Sequence, residues 1–171
     1  ATAVTQGIEF VIMKASQGAS YNDPNYATYW ADAGTAGLAR GAYHYFENAV
    51  NPTTQANNFI AMMDGDYGEL GPSVDCEDET NPLTPANLKT FLDRVETVTG
   101  LKCTIYTRAS WWDVYVGTQS WTPNYPLWIA RWSNTPNPLP VGWTSYRFWQ
   151  YSSSARSLDY GSSEDSTIDL N

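Results

Sequence analysis

A chain of 171 residues with 42% hydrophobic and 16% charged residues is long enough to bury a full core and too apolar to stay disordered. Its formal charge of −9, with only nine Lys plus Arg, opposes binding to nucleic-acid phosphates and electrostatic capture by an anionic membrane. No apolar run is long enough for a transmembrane helix, and no basic stretch leads into an apolar leader-like segment.

Apolar strand-like runs then alternate with helical stretches. Residues 8–15 predict a buried strand, 26–36 a helix closed by Gly37, and 39–46 a second strand. Asn51, Pro52 and Thr53 open a helix to about Met63, and 73–77 is a third strand entered through Gly71 and Pro72. Thr84 as N-cap with Pro85 at the first helical position begins a helix that runs to Thr99 and stops at Gly100. A fourth strand, 102–107, is followed by a short helix at 110–115. Beyond it, 127–131, 147–151 and 167–170 read as short strands joined by Pro-, Gly- and Ser-rich loops, which makes seven strands in all.

Strand–helix alternation implies an α/β fold with a mainly parallel sheet and helices outside. A barrel and an open doubly wound sheet both fit the first half. The absence of a Gly-rich phosphate loop after any strand weighs against the nucleotide-binding folds. No internal repeat or low-complexity linker divides the chain, so residues 1–171 read as a single domain.

The strongest chemical signal is Val74-Asp75-Cys76-Glu77-Asp78-Glu79. Alternation along a strand puts Asp75 and Glu77 on one side. In a barrel, that side reaches the C-terminal mouth, where active sites of this architecture lie. Two neighbouring carboxylates resist double ionisation, so one keeps a proton to higher pH. Glycoside hydrolysis uses such a combination, an acid for the leaving oxygen and an anion beside the developing cation. The i, i+2 spacing is closer than an opposed acid–nucleophile pair and suits an acid with a helper that orients it or the substrate's acetamido group. Asp78 and Glu79 are expected to face solvent or cap the next loop. The competing reading of the whole cluster is an acidic strand end that serves solubility or holds a cation.

Eight Trp, twelve Tyr and five Phe suit either an aromatic core or a half-wet groove on which sugar rings stack. Trp111, Trp112, Trp121, Trp132, Trp143 and Trp149 are not sorted between the two by sequence. Cys76 and Cys103 fall on neighbouring strands, where a bridge and two free thiols both remain open. With His44 as the single His, the chain has too few ligands for a Cys/His zinc site. His44 reads as packed rather than catalytic, and Lys14 either touches substrate or pairs with a carboxylate.

Taken together, ordered segments over nearly the whole chain resemble the Chalaropsis-type muramidases, glycoside hydrolase family 25. They are Gly7-Ile8-Glu9-Phe10-Val11-Ile12-Met13-Lys14-Ala15-Ser16-Gln17-Gly18, Tyr21-Asn22-Asp23-Pro24, Gly41-Ala42-Tyr43-His44-Tyr45 and Val74-Asp75-Cys76-Glu77. Ile105-Tyr106-Thr107, Leu127-Trp128-Ile129-Ala130-Arg131-Trp132, Trp149-Gln150-Tyr151 and Ile168-Asp169-Leu170-Asn171 follow in family order.

The resemblance implies an irregular, flattened TIM-like β/α barrel and hydrolysis of the β-1,4 bond from N-acetylmuramic acid to N-acetylglucosamine, with no cofactor or metal. It implies Glu77 as general acid/base with Asp75 as its partner carboxylate. Tyr43 and Asp169 match groove positions near the reaction centre, and Tyr106, Trp128 and Gln150 match less central lining, with Lys14 a further substrate contact. Peptidoglycan glycan strands are the expected partner, and the expected workplace is extracellular.

Two departures stand out. The family's first strand, with its Asp, has no counterpart before Gly7, which leaves strand exchange with another copy as one way to complete the barrel. Gln17 stands where many members have Glu. These departures keep two alternatives in view, a muramidase-like module that binds peptidoglycan without cutting it and a chitinase-like hydrolase.

Overall fold

The computed structural model describes residues 2–79, 84–162 and 165–171. A short N-terminal helix α1 (Thr2–Thr5) leads into strand β1 (Phe10–Gln17), followed by a two-residue strand β2 (Tyr21–Asn22), helix α2 (Tyr26–Thr35) and strand β3 (Ala39–Tyr45). Helix α3 (Pro52–Met63), β4 (Gly71–Asp75), α4 (Pro85–Thr99), β5 (Thr104–Thr107) and α5 (Ala109–Tyr115) continue the alternation. The last part holds β6 (Leu127–Ala130), β7 (Phe148–Gln150), β8 (Ser152–Arg156) and β9 (Thr167–Leu170).

The main sheet has the order β2-β1-β3-β4-β5-β6-β7, parallel throughout except for β2, and it curls into a half-barrel. The helices earn their places by pattern. In α4 the buried residues Leu88, Phe91, Leu92 and Val95 recur at the spacing of one helical face. In α3 the Asn51 side chain caps the first turn, accepting from the backbone N–H groups of Thr53 and Thr54 at 3.0 Å. The two helices pack against one another, with Phe59 and Phe91 stacked and Phe46 edge-on to Phe91.

His44 belongs to this packing, as its lone position suggested. It is fully buried, stacks on Phe91 and bridges Ser16 at 2.8 Å and Gln55 at 3.3 Å. The Gln55 amide nitrogen donates to the carbonyls of Glu47 and Val50, so its oxygen faces His44 Nε2. Nε2 must therefore carry the proton, and Nδ1 accepts from the Ser16 hydroxyl. Burial lowers the imidazole to about 4, which keeps the ring neutral in its apolar cage.

Several expectations are corrected. Strand β1 starts and ends two residues later than predicted, and β4 ends at Asp75, so Glu77 lies beyond the paired strand. Seven strands do form one sheet, but they are not the predicted seven. Residues 167–170 leave the main sheet and pair antiparallel with β8, a Ser-rich strand whose lack of apolar alternation concealed it. Thr84 occupies the N-cap of α4 without a side-chain capping bond, leaving Pro85 as the start signal.

The two cysteines are free and buried. Asp75 lies opposite Tyr106, which places Cys76 about four residues further along the ladder than Cys103. At roughly 3.3 Å per residue, that offset exceeds the reach of a disulfide.

The half-barrel is open between β1 and β7. Among the described residues no ladder joins those two strands, although the Phe10 and Phe148 rings meet across the gap at 5.3 Å. The β8–β9 hairpin hangs beside the opening from β7, where Tyr151 N–H donates to Leu170 O at 3.0 Å.

The turn into β4 depends on a glycine. Gly68 has φ +63°, and a Cβ there would lie 2.4 Å from the Arg40 carbonyl oxygen and 2.7 Å from the Trp30 ring. Gly68→Ala is expected to destabilise the fold by about 2 kcal/mol or more, read as a lower denaturant midpoint at unchanged slope.

Candidate active site

Parallel pairing brings alternate residues of successive strands into rows. The ladders align Gln17, Tyr45, Asp75, Tyr106, Trp128 and Phe148 across the sheet, with Lys14 beside Tyr43 nearer its base. Side chains at every second residue share a face, so these rows and the positions just beyond the strand ends look into one mouth. A cavity of about 1150 Å³ opens there. All eight residues singled out from sequence line it: Lys14, Tyr43, Asp75, Glu77, Tyr106, Trp128, Gln150 and Asp169. The cavity continues along the open edge of β1 toward the β8–β9 hairpin.

Asp75 is the most confined of the carboxyls. It is buried, and its Oδ1 has no hydrogen-bond partner among the described residues. Burial first, and then the Glu77 charge, push its pKa well above the usual carboxylate range against a smaller opposing pull from Lys14. Half-buried Glu77 is also raised, by burial first, with Arg108 pulling down and Asp169 and Glu79 pushing up. Asp169 sits at the exposed rim, where partial desolvation raises it as well. The mouth therefore holds protons at a pH where free carboxyls have lost them.

A hydrogen-bond frame fixes the surroundings. Buried Gln150 accepts at Oε1 from the Tyr106 hydroxyl at 3.2 Å and from the Trp132 indole at 2.9 Å, while its amide nitrogen donates to Asp169 at 2.9 Å. The Trp128 indole donates to Asn171 at 2.6 Å, and its ring meets Tyr106 edge-on at 4.8 Å. Tyr43 faces Asp75, Asp169 and Glu77; burial and those charges raise its phenol and keep it a neutral donor.

Lys14 departs from one of its two expectations, the carboxylate pair. It lines the cavity but forms no ion pair among the described residues. Its ammonium donates to Gln17 at 2.6 Å and lies 5.3 Å from the ring centres of both Tyr21 and Tyr45. Gln17 in turn donates to Glu47 at 2.8 Å, so the neutral amide relays between a cation and an anion.

Asp78 is buried rather than solvent-facing, and its carbonyl accepts from the Trp111 indole at 3.2 Å. Glu79 pairs with Arg108. Among the described residues no group of three or more His, Cys, Asp or Glu is arranged to hold a metal ion.

The model of Glycosyl hydrolases family 25 matches residues 1–160. The chain belongs to this family. It is 34% identical over 170 residues to an N,O-diacetylmuramidase from Chalaropsis sp, covering 89% of this chain and 81% of that protein. It is 31% identical over 166 residues to Lysozyme M1 of Streptomyces globisporus, covering 88% of this chain but 56% of the relative's length. Among solved structures, a muramidase from Trichobolus zukalii superposes with a TM-score of 0.79 at 27% identity, over 99% of this chain and 87% of that one.

The mouth also presents residues that sequence reasoning passed over or left unsorted. Arg108, Arg131 and Trp132 follow directly after β5 and β6, as Glu77 follows β4, and all four line a second cavity beside Glu77. The signal was available: in barrels, positions just past the C-terminal ends of strands face the mouth.

A carboxyl whose folded-state pKa is raised opposes folding once it ionises. The penalty is complete above the folded pKa and vanishes below the unfolded one. Asp75→Asn is therefore expected to stabilise the fold by about 1 kcal/mol at neutral pH. That gain should shrink as pH falls into the ordinary carboxylate range, checked by denaturation of both proteins from pH 3 to 8.

Proposed function

We propose that this family 25 chain hydrolyses the β-1,4 bond between N-acetylmuramic acid and N-acetylglucosamine in peptidoglycan. The observation that carries the reading is the pair Asp75 and Glu77, two residues apart at the end of β4, both with raised proton affinity inside one glycan-sized cavity. Membership of the family and its muramidase and lysozyme relatives support the same activity.

In this mechanism Glu77 protonates the glycosidic oxygen as the bond breaks, its proton retained by desolvation. Asp75 lies too near in sequence to stand opposite Glu77 across a sugar ring. It receives the N–H of the substrate's 2-acetamido group and turns the acetamido oxygen toward the anomeric carbon. That oxygen attacks as the leaving group departs, forming an oxazolinium ion. Water then opens it with Glu77 acting as base, and configuration is retained. Tyr43 and Asp169 hold the sugar at the cleaved bond, with Tyr106, Trp128 and Gln150 shaping the wall behind it and Lys14 standing farther along the groove.

The glycan strand is the partner in this reading, held by aromatic faces and local hydrogen bonds rather than bulk charge, and the work is done outside the cell. No helix among the described residues is long and apolar enough to cross a membrane.

The test is reducing-end release from purified peptidoglycan, with the reduced products identified by mass. Muramic acid ends are expected, and Glu77→Gln should lower the rate by about 10³-fold with the fold intact. Glycan binding without new ends would make the chain a binding module, and release from chitin but not from cell wall would make it a chitinase-like hydrolase. In the active enzyme the descending alkaline limb of kcat/KM is expected above the ordinary carboxylate range, because the acid's pKa is raised.

A further inference from the structure

We propose that the corner beside Glu77, between the ends of β5 and β6, is a carboxylate subsite centred on Arg131. It takes the acidic group carried by the lactyl arm of a muramic acid residue. The proposal rests on the reading of the site as a peptidoglycan hydrolase and names a specificity determinant for it.

Four observations support it. A cavity of about 200 Å³ adjoins Glu77 and is lined by Arg108, Ser110, Arg131 and Trp132. Arg131 is held in place from three sides. Its backbone N–H donates to Gln150 O at 3.0 Å, its carbonyl accepts from the Trp149 indole at 2.8 Å, and its Nε donates to Thr135 O at 3.1 Å.

Arg131, like Lys14, Arg94 and Arg147, has no carboxylate partner among the described residues, and it is the one of these four that lines this corner. With Nε committed to a backbone carbonyl, the two terminal nitrogens remain available as the fork that binds a carboxylate in two-point fashion. Finally, Trp132 is 66% exposed, yet its indole nitrogen is tied to Gln150 at 2.9 Å, so a rigid apolar face borders the cation.

The chemistry of the substrate selects the ligand. The sugar rings of peptidoglycan are neutral, and the carboxylates near the scissile bond belong to the lactyl arm on the muramic residue. They are the arm's own acid where it is bare, or the first acidic residue of a peptide attached to it. A chain of net charge −9 offers such a group little attraction unless a fixed cation receives it. Arg108 is paired with Glu79 and donates to Ser110 at 3.1 Å, and Lys14 lines the main cavity rather than this corner, which leaves Arg131 as the receptor here and Arg108 as the flank.

The experiment measures equilibrium affinity in the full chain carrying Glu77→Gln, with Arg131 intact, Arg131→Gln or Arg131→Lys. Three probes are used: the N-acetylglucosaminyl-N-acetylmuramic acid disaccharide with a free lactyl acid, the same disaccharide carrying its stem peptide, and its uncharged lactyl methylamide. Arg131→Gln is expected to weaken an acidic probe about tenfold while leaving the methylamide within about twofold, and Arg131→Lys to recover part of the loss. Loss on the free acid identifies the lactyl carboxylate, and loss on the peptide form alone identifies the stem peptide. Equal effects on all three probes, or none on any, would overturn the subsite. A wild-type chain that releases no reducing ends but keeps Arg131-dependent affinity would overturn the hydrolysis reading alone.

Discussion

Placing a carboxyl where water cannot solvate it is the constraint around which the mouth of this protein is organised. Asp75 ends β4 with a buried side chain and one oxygen without a partner. An ionised carboxylate there is costly, so the proton affinity of Asp75 is raised. Tyr43 and Tyr106 stay neutral beside it for the same reason and can act as donors. The Gln150 frame then sets where Asp169 and Trp132 stand relative to that centre. Such a centre opposes folding, and the aromatic packing of α3 and α4 around His44 and Phe46 supplies compensating burial.

The opening between β1 and β7 shapes the groove as much as the strands do. In a closed barrel the mouth is a bowl. Here the cavity extends as a trough from the carboxyls down the free edge of β1 to the C-terminal hairpin. The Phe10–Phe148 contact draws the two sides together. The hairpin contributes Asp169 from a separate two-stranded sheet, so one wall of the proposed site stands on an element outside the main ladder.

Charge is distributed to match. Several cations of this acidic chain are matched to carboxylates away from the mouth, as Arg40 is to Asp66 and Glu69 and Arg156 is to Asp165. Lys14 and Arg131, which lack such partners among the described residues, flank the mouth from opposite ends of the row of strands. A neutral sugar backbone with acidic side arms would meet aromatic and hydrogen-bonding surface along the trough, with the Lys14 cation in its wall and the Arg131 cation in the adjoining corner.

Much of this was legible along the chain. Period-two alternation placed Asp75 and Glu77 on one side, and Asn51-Pro52 and Gly100 marked helix ends, because these signals depend on backbone geometry over a few residues. All eight site residues named from the sequence lie among those that line the cavity. The Ser-rich strand β8 escaped because its stability comes from pairing with β9 rather than from its own pattern. The cysteine question turned on ladder register, which sequence adjacency of strands does not specify. The neutral His44, the Gln17 relay and the acid-free Arg131 are likewise products of contacts between residues far apart in the chain. Sequence alone determined the strand–helix alternation up to β6 in outline and the identity of the chemical groups. Only the tertiary structure decided their protonation and partners, because desolvation and hydrogen-bond geometry arise when distant segments are packed together.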